Sequence, residues 1–162
     1  MDLPADTTET DRELLSTARD RIPSRCRERR AADRGDELFA LVRADDETGS
    51  GDAYLGVPFE PPDAPSAGFC AERHALNRLQ LAEPPGTRPT HVVVAGPVPD
   101  DDRRPTFPCG TCRDAIAAVG GPDVTVLATC FVRQPDGWAL FPTVERRRVE
   151  ELVPDRWTDP WG

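Results

Sequence analysis

The 162-residue chain contains no lysine: its twenty basic residues are all arginine, set against twenty-nine acids, for a net charge of −9 and a pI near 4.7. Acid excess without lysine reads as the composition of a halophile or of a GC-rich genome, since high negative charge keeps a chain soluble. The same balance argues against a nucleic-acid partner, because duplexes and single strands are held by basic stripes that neutralise phosphates. Long apolar runs are also missing, so no membrane span is expected, and the acidic N-terminus lacks the charged-then-apolar layout of a signal peptide. A cytoplasmic location is the expectation that follows. Internal repeats and composition breaks are absent too, which predicts a flexible tail over residues 1–8 and a single domain over residues 9–162.

What the chain does have is proline and an odd set of thiols. Eighteen prolines with 38% hydrophobic residues suggest a compact fold with stiff, frequent turns. The five cysteines are Cys26, Cys70, Cys109, Cys112 and Cys130. Three of them have metal spacing, and in a cytosolic chain such a pattern reads as metal binding before disulfides. Cys26 and Cys130 stand alone and read as plain small residues.

Leu14, Leu15, Ala18 and Ile22 recur at helical spacing, so a helix is predicted from about Thr10 to Ile22, ended by Pro23. The stretch from Ser24 to Asp36 reads equally as a short helix or a loop. Leu38 to Val42 and Ala53 to Phe59 read as the strands of a hairpin. Pro61, Pro62, Pro65, Ser66 and Gly68 form a rigid turn that delivers the chain to Cys70. A helix is predicted from Cys70 to Leu81, and a strand buried on both faces over His91 to Ala95. After a charged loop at Asp100 to Arg104, a helix starts near Cys109 and runs to Val119. Strands are predicted at Val124 to Val132 and Trp138 to Phe141, and a last helix at Val144 to Leu152, with Arg146, Arg147 and Arg148 on its solvated face and Pro154 ending it. This order gives one α/β domain with a mixed sheet of about five strands between helices.

Two stretches carry the chemistry: Cys70-Ala71-Glu72-Arg73 and Pro108-Cys109-Gly110-Thr111-Cys112-Arg113. Three thiols are one ligand short of a tetrahedral Zn²⁺, leaving a fourth position for water, whose pKa zinc lowers to near 7. Glu72 is a carboxylate that need not ligate and is well placed in sequence to shuttle protons. The predicted helices begin at Cys70 and at the Cys109/Cys112 pair, where free N–H groups and the helix dipole favour thiolates. Three thiolates leave a net −1 at the metal. Arg73, three residues on, can reach back to sulfur and drain that charge, and Arg113 can assist beside Cys112.

A three-ligand thiol site, a non-ligand Glu and a Pro-Cys-x-x-Cys half form the arrangement of zinc deaminases. With Cys-Ala-Glu-Arg followed by Pro-Cys-Gly-x-Cys-Arg, the chain resembles the cytidine deaminase family, specifically its small all-cysteine branch. Val149-Glu150-Glu151-Leu152-Val153-Pro154 with Trp157 is similar to the ending common in that family, so the resemblance runs from about Leu38 to Trp157. It implies a three-layer α/β fold and zinc-dependent hydrolytic deamination of cytidine, deoxycytidine or a related aminopyrimidine, as in pyrimidine salvage. Glu72 would carry protons from the water to ring N3 and the leaving amine. The resemblance also implies a ring contact from the Ala71 amide, a ribose contact from Glu60 in Gly56-Val57-Pro58-Phe59-Glu60, and a homotetramer or dimer whose neighbours complete each site. Three positions depart from the pattern. Pro58 replaces an Asn that holds the sugar, Pro23-Ser24-Arg25-Cys26-Arg27 lacks a Phe that packs the base, and Asp114 replaces a Gln.

Other readings compete. The substrate can be a free base, a modified nucleoside or a blasticidin-type antibiotic. His74, one helical turn from Cys70, can close a Cys70/His74/Cys109/Cys112 site and make the protein a zinc-stabilised, non-catalytic binding module; that leaves Glu72 and Arg73 unexplained, and His74 is expected on the helix surface or beside the ligands. A redox-active Cys-x-x-Cys is a third reading. Trp157 and Trp161 read as hydrophobes that dock the tail.

Overall fold

The structure, a computed structural model, describes residues 2–32, 37–99, 102–135 and 137–153. Side chains alternate across a strand, and two of the strands show it plainly. In β1 (Phe39–Ala44), Ala40, Val42 and Ala44 join one buried cluster while Phe39 and Leu41 join the other. In the third strand, β3 (Pro89–Val98), Val92 and Val94 go one way and Val93 and Ala95 the opposite way. With β2 (Ala53–Gly56), β4 (Thr125–Gln134) and β5 (Gly137–Arg148) they build a five-stranded sheet in the order β2-β1-β3-β4-β5. Only β3 and β4 run parallel; the other neighbours are antiparallel. Helix α1 (Glu9–Ala31) covers one face, while α2 (Ala71–Ala82) and α3 (Gly110–Gly120) cover the other. The mixed sheet between helices, the hairpin and the central valine-rich strand are as the sequence pattern requires. Among the described residues, no helix is long and apolar enough to cross a membrane.

Three segments differ from expectation. Pro23 does not end α1 but sits inside it. A helix-interior proline forfeits one backbone hydrogen bond. The apolar stripe nevertheless continues from Ile22 to Cys26, both buried against the sheet. Arg25 and Arg29 on the added turns hold Glu37 at 3.3 and 2.6 Å. The undecided stretch after Pro23 is therefore helical to Ala31.

The second difference is β5, which runs on through the region expected to be helical. Arg146, Arg147 and Arg148 pair with Leu127, Val126 and Thr125 of β4, and only Val149–Leu152, α4, is helical. A solvated helix face is thus replaced by a strand, and Arg146 turns inward to Asp11. The apparent break at Phe141-Pro142 is a bulge. The β4–β5 register shifts between Thr129 and Phe131, and Phe141 takes a left-handed φ of 55°.

That bulge explains the third difference. Of the expected flexible tail at residues 1–8, the described residues 2–8 are tied down, because the Asp2 amide donates to the Pro142 carbonyl and the Val144 amide donates to the Asp2 carbonyl. Leu3 packs against the α1-side core, and the side chains of Thr8 and Asp11 each accept the other's amide, in the manner of a capping box. Asp100, Pro154, Trp157 and Trp161, named in the sequence reading, lie outside the described residues.

Candidate active site

Helix α2 is pressed onto β2 at Gly56. A Cβ there would lie 2.1 Å from the Ala71 carbonyl oxygen and 2.5 Å from the Ala75 amide nitrogen, so only glycine permits the approach. The contact fixes the first turn of α2 and sets Cys70 as its N-cap. Cys109 is the N-cap of α3, which follows β3, and neither thiol caps its own helix. The Sγ atoms of Cys70, Cys109 and Cys112 all lie within 4.8 Å of one another, with Cys70 and Cys109 3.6 Å apart. Cys112 is buried and Cys109 exposed, so the cluster opens on the Cys109 side. Three sulfurs on two helix starts can hold a soft cation such as a divalent zinc ion.

The three thiols sit in unlike electrostatic surroundings. Burial, then the Glu72 charge, pushes the Cys112 thiol far above its ordinary range. Burial, then Cys109, raises Cys70. Burial also acts against ionising Cys109, but the Cys112 amide and the neighbouring thiols outweigh it and lower that one group. Burial works against the Arg73 charge, but the neighbouring Cys70 and Cys112 sulfurs outweigh it and raise its pKa, which puts a guanidinium beside two of the three thiols. Glu72 is 2% exposed, and its Oε2 has no hydrogen-bond partner among the described residues. Burial raises its pKa, offset in part by its own amide, the Cys112 thiol and the Arg73 charge. An unpartnered buried carboxylate oxygen costs about 1–3 kcal/mol, and the fold tolerates it beside the one Cys cluster among the described residues that can hold a cation.

One expectation needs correction, and one competing reading is not met. Arg113 does not turn to sulfur: its Nε donates to the Pro108 carbonyl at 2.7 Å and its guanidinium to the Leu152 carbonyl at 3.1 Å. Those carbonyls flank the cysteine turn and α4, so Arg113 fixes the turn rather than its charge. Nor does His74 join the sulfurs. Its Nδ1 lies 3.1 Å from the Val57 amide nitrogen and 3.0 Å from the Val57 carbonyl oxygen, with Phe69 edge-on to the ring. The closed Cys70/His74/Cys109/Cys112 set is not formed. Cys26 and Cys130 are buried in the core, away from the cluster.

A cavity of about 610 Å³ adjoins the sulfurs, with Ala71 and Glu72 in its lining and Glu60 on its wall. Much of that wall was not singled out from sequence. Phe59 and Phe69 bond antiparallel to each other, N–H to O at 2.9 and 3.0 Å, and their rings stack at 5.2 Å. Leu38 and Phe107 complete the apolar side. Three prolines between Phe59 and Phe69 signalled a rigid turn, but the bridge joining its ends had no local signature.

No protein-family model matches the chain, and no curated protein does. Likeness appears in structure. Cytidine deaminase from Burkholderia pseudomallei aligns with a TM-score of 0.60 and 20% identity, over 92% of this chain and 98% of that one. Cytidine deaminase from Mycobacterium leprae gives 0.47 and 18% over 84% and 97%, and that from Mycobacterium tuberculosis 0.45 and 19% over 73% and 76%. Resting on the Burkholderia enzyme, the architecture of this chain is the cytidine deaminase fold.

Proposed function

We propose that the protein is a zinc-dependent hydrolytic deaminase of a 4-aminopyrimidine, cytidine or a relative of it. The observation that carries this reading is the buried, unpartnered Glu72 Oε2 beside three converging cysteine sulfurs. Cys70, Cys109 and Cys112 would hold the ion, which when bound supplies a Lewis acid that makes water nucleophilic near neutral pH.

The chain's own groups do the rest. Glu72 takes a proton from the attacking water, and its raised pKa suits a group that must then give protons up. It delivers them to ring N3 and to the leaving amine: the C4–N bond breaks, a C4–O bond forms, and ammonia departs. Arg73 holds two of the sulfurs in place and offsets their charge. The Ala71 amide, at the start of α2, faces the ring. The ligand is a small molecule, since a net charge of −9 suits no polyanion.

The test is joint metal analysis and ammonia release from cytidine, deoxycytidine, cytosine and blasticidin S. About one zinc per chain is expected, as a three-thiolate site requires, with ammonia released from at least one member of the panel. A metal-free preparation that is fully active would overturn the reading.

A further inference from the structure

The cavity beside the sulfurs has an uneven chemistry that bears on what the substrate carries at N1. Its volume of about 610 Å³ lies in the range that takes a drug-sized ligand, far more than one pyrimidine ring fills. A ribose there needs partners for its hydroxyls, and a desolvated hydroxyl without one is disfavoured. The wall offers few. Pro58 has no N–H and no polar side chain. The Val57 amide is covered by His74 Nδ1. The amides of Phe59 and Phe69 are spent on each other's carbonyls, and the Gly68 amide is spent on the Pro65 carbonyl. Every backbone donor along 57–59 and 68–69 is therefore absent or occupied.

What remains exposed is apolar, with one exception. Phe59 is 49% and Phe69 38% exposed, a stacked pair on the wall of the cavity, whose buried end is formed by Ala71 and Glu72. Glu72 and Arg73 lie beside the sulfurs, which leaves Glu60 as the one charged side chain on the outer wall among the described residues. A carboxylate accepts hydrogen bonds and attracts cations but donates nothing.

We propose that the substrate is a 4-aminopyrimidine whose N1 substituent is mainly apolar, lies on the Phe59–Phe69 pair and ends in a cationic or hydrogen-bond-donating group at Glu60, rather than an unmodified ribose. This rests on the deaminase reading above. The reaction is the same: the substituted 4-aminopyrimidine and water give the 4-oxopyrimidine and ammonia.

The test compares cytosine, cytidine, 1-benzylcytosine and 1-[4-(aminomethyl)benzyl]cytosine by ammonia release. Calorimetric binding of 1-[4-(aminomethyl)benzyl]uracil, which has no amine at C4 to lose, is measured alongside. The aminomethylbenzyl compound should exceed cytidine in kcat/KM by roughly tenfold or more, the scale of discrimination a hydrophobic pocket provides. Phe59→Ala with Phe69→Ala should erase that ratio, Glu60→Gln should remove the advantage of the amine over plain benzyl, and Pro58→Asn should move preference toward cytidine. Tight binding of the uracil compound without turnover of any member would sink the deaminase reading and the substrate assignment with it, leaving the wall as a pocket for an aryl-substituted, cationic pyrimidine ligand. Cytidine preferred over both benzyl compounds would overturn this inference while leaving the deaminase reading intact. A uracil-compound affinity that weakens as protein concentration rises would put a second copy in the mouth, and overturns it as well.

Discussion

Asp11 and Glu72 are the most deeply buried carboxylates among the described residues, one on each face of the sheet, and their charges are treated in opposite ways. Asp11, on the α1 side, is fully buried and held through one oxygen, while its Oδ1 has no hydrogen-bond partner among the described residues. Its Oδ2 accepts from the Thr8 amide and from Arg146 Nε, each at 2.8 Å, and its Oδ1 faces His91 Nε2 at 3.3 Å. Burial alone would raise its pKa, but the Thr8 amide and Arg146 outweigh that and hold it below the usual carboxylate range. Glu72, on the α2–α3 side, is also enclosed and also leaves one oxygen without a partner, but there burial prevails and its pKa is raised. A buried charge tied to an amide and a guanidinium fastens elements together, here the start of α1 to β5. One whose pKa is raised by burial beside three thiols is a group held ready to exchange a proton.

The largest effect should come from Glu72. Glu72→Ala is expected to cut ammonia release by about 10²–10⁴-fold or more, the usual worth of a positioned acid–base group, while zinc content stays unchanged. Removing an unpartnered buried charge should not destabilise the fold, so Glu72→Gln should melt at or slightly above the wild-type temperature. A clear drop in melting temperature for Glu72→Gln would make this carboxylate a fastener like Asp11 and erase the contrast.

Next in size is the cluster itself. Cys112→Ser replaces the buried thiol with a poorer ligand and should take zinc from about one per chain to near none. His74→Ala, with its ring on the Val57 backbone, should keep zinc in full. Zinc lost from His74→Ala but kept in Cys112→Ser would restore the closed four-ligand site.

Asp11→Ala should act on stability alone. It strands Arg146 and His91 and removes an N-terminal cap, a loss of about 3 kcal/mol, the low end for breaking a buried pair because Arg146 keeps contacts to Asp6 and Thr125. Denaturant unfolding reads this directly. Specific activity per folded molecule should be unchanged, whereas a fall in activity at constant stability would tie Asp11 to the reaction.

The two carboxylates also differ in how far the sequence announces them. Glu72 stands in a motif whose spacing places it, and Cys70, Cys109, Cys112 and Arg73 fall where that spacing predicts, because all sit within one turn of a helix start. Asp11 was read only as part of a helix start, since its partners lie 80 and 135 residues away on β3 and β5 and no local pattern records them. The same limit hid the continuation of α1 past Pro23 and of β5 past Phe141. Proline argues locally for a break, and burial of Cys26 and pairing of Arg146–Arg148 with β4 override it. The aromatic wall at Phe59 and Phe69 is another long-range product, made by a bridge across a proline-rich loop.

The smallest expected effect tests whether the Asp11 network also senses pH. His91 faces Asp11 on α1, Arg43 on β1 and Arg146 on β5, with its Nδ1 2.8 Å from Thr90 Oγ1. Burial lowers its pKa from 6.5, the Asp11 charge works against that, and the two arginines add to it. A depressed folded pKa means that the unfolded chain binds the proton first as pH falls. Stability from this group is therefore full above pH 6.5 and declines as pH drops from there toward the folded value, with a slope of at most about 1.4 kcal/mol per pH unit. Asp11 is also depressed, but its loss begins only below about 3.8, so the two windows separate. Metal affinity at a thiolate site also falls with pH, so the quantity to follow is the stability of wild type minus that of His91→Gln between pH 7 and pH 4.5. That difference should shrink as pH falls, because the variant has no proton to take up. A difference that stays flat across the window would mean that His91 keeps its ordinary pKa beside Asp11, and that the α1 network is a fastener with no pH response of its own above the range of its carboxylate.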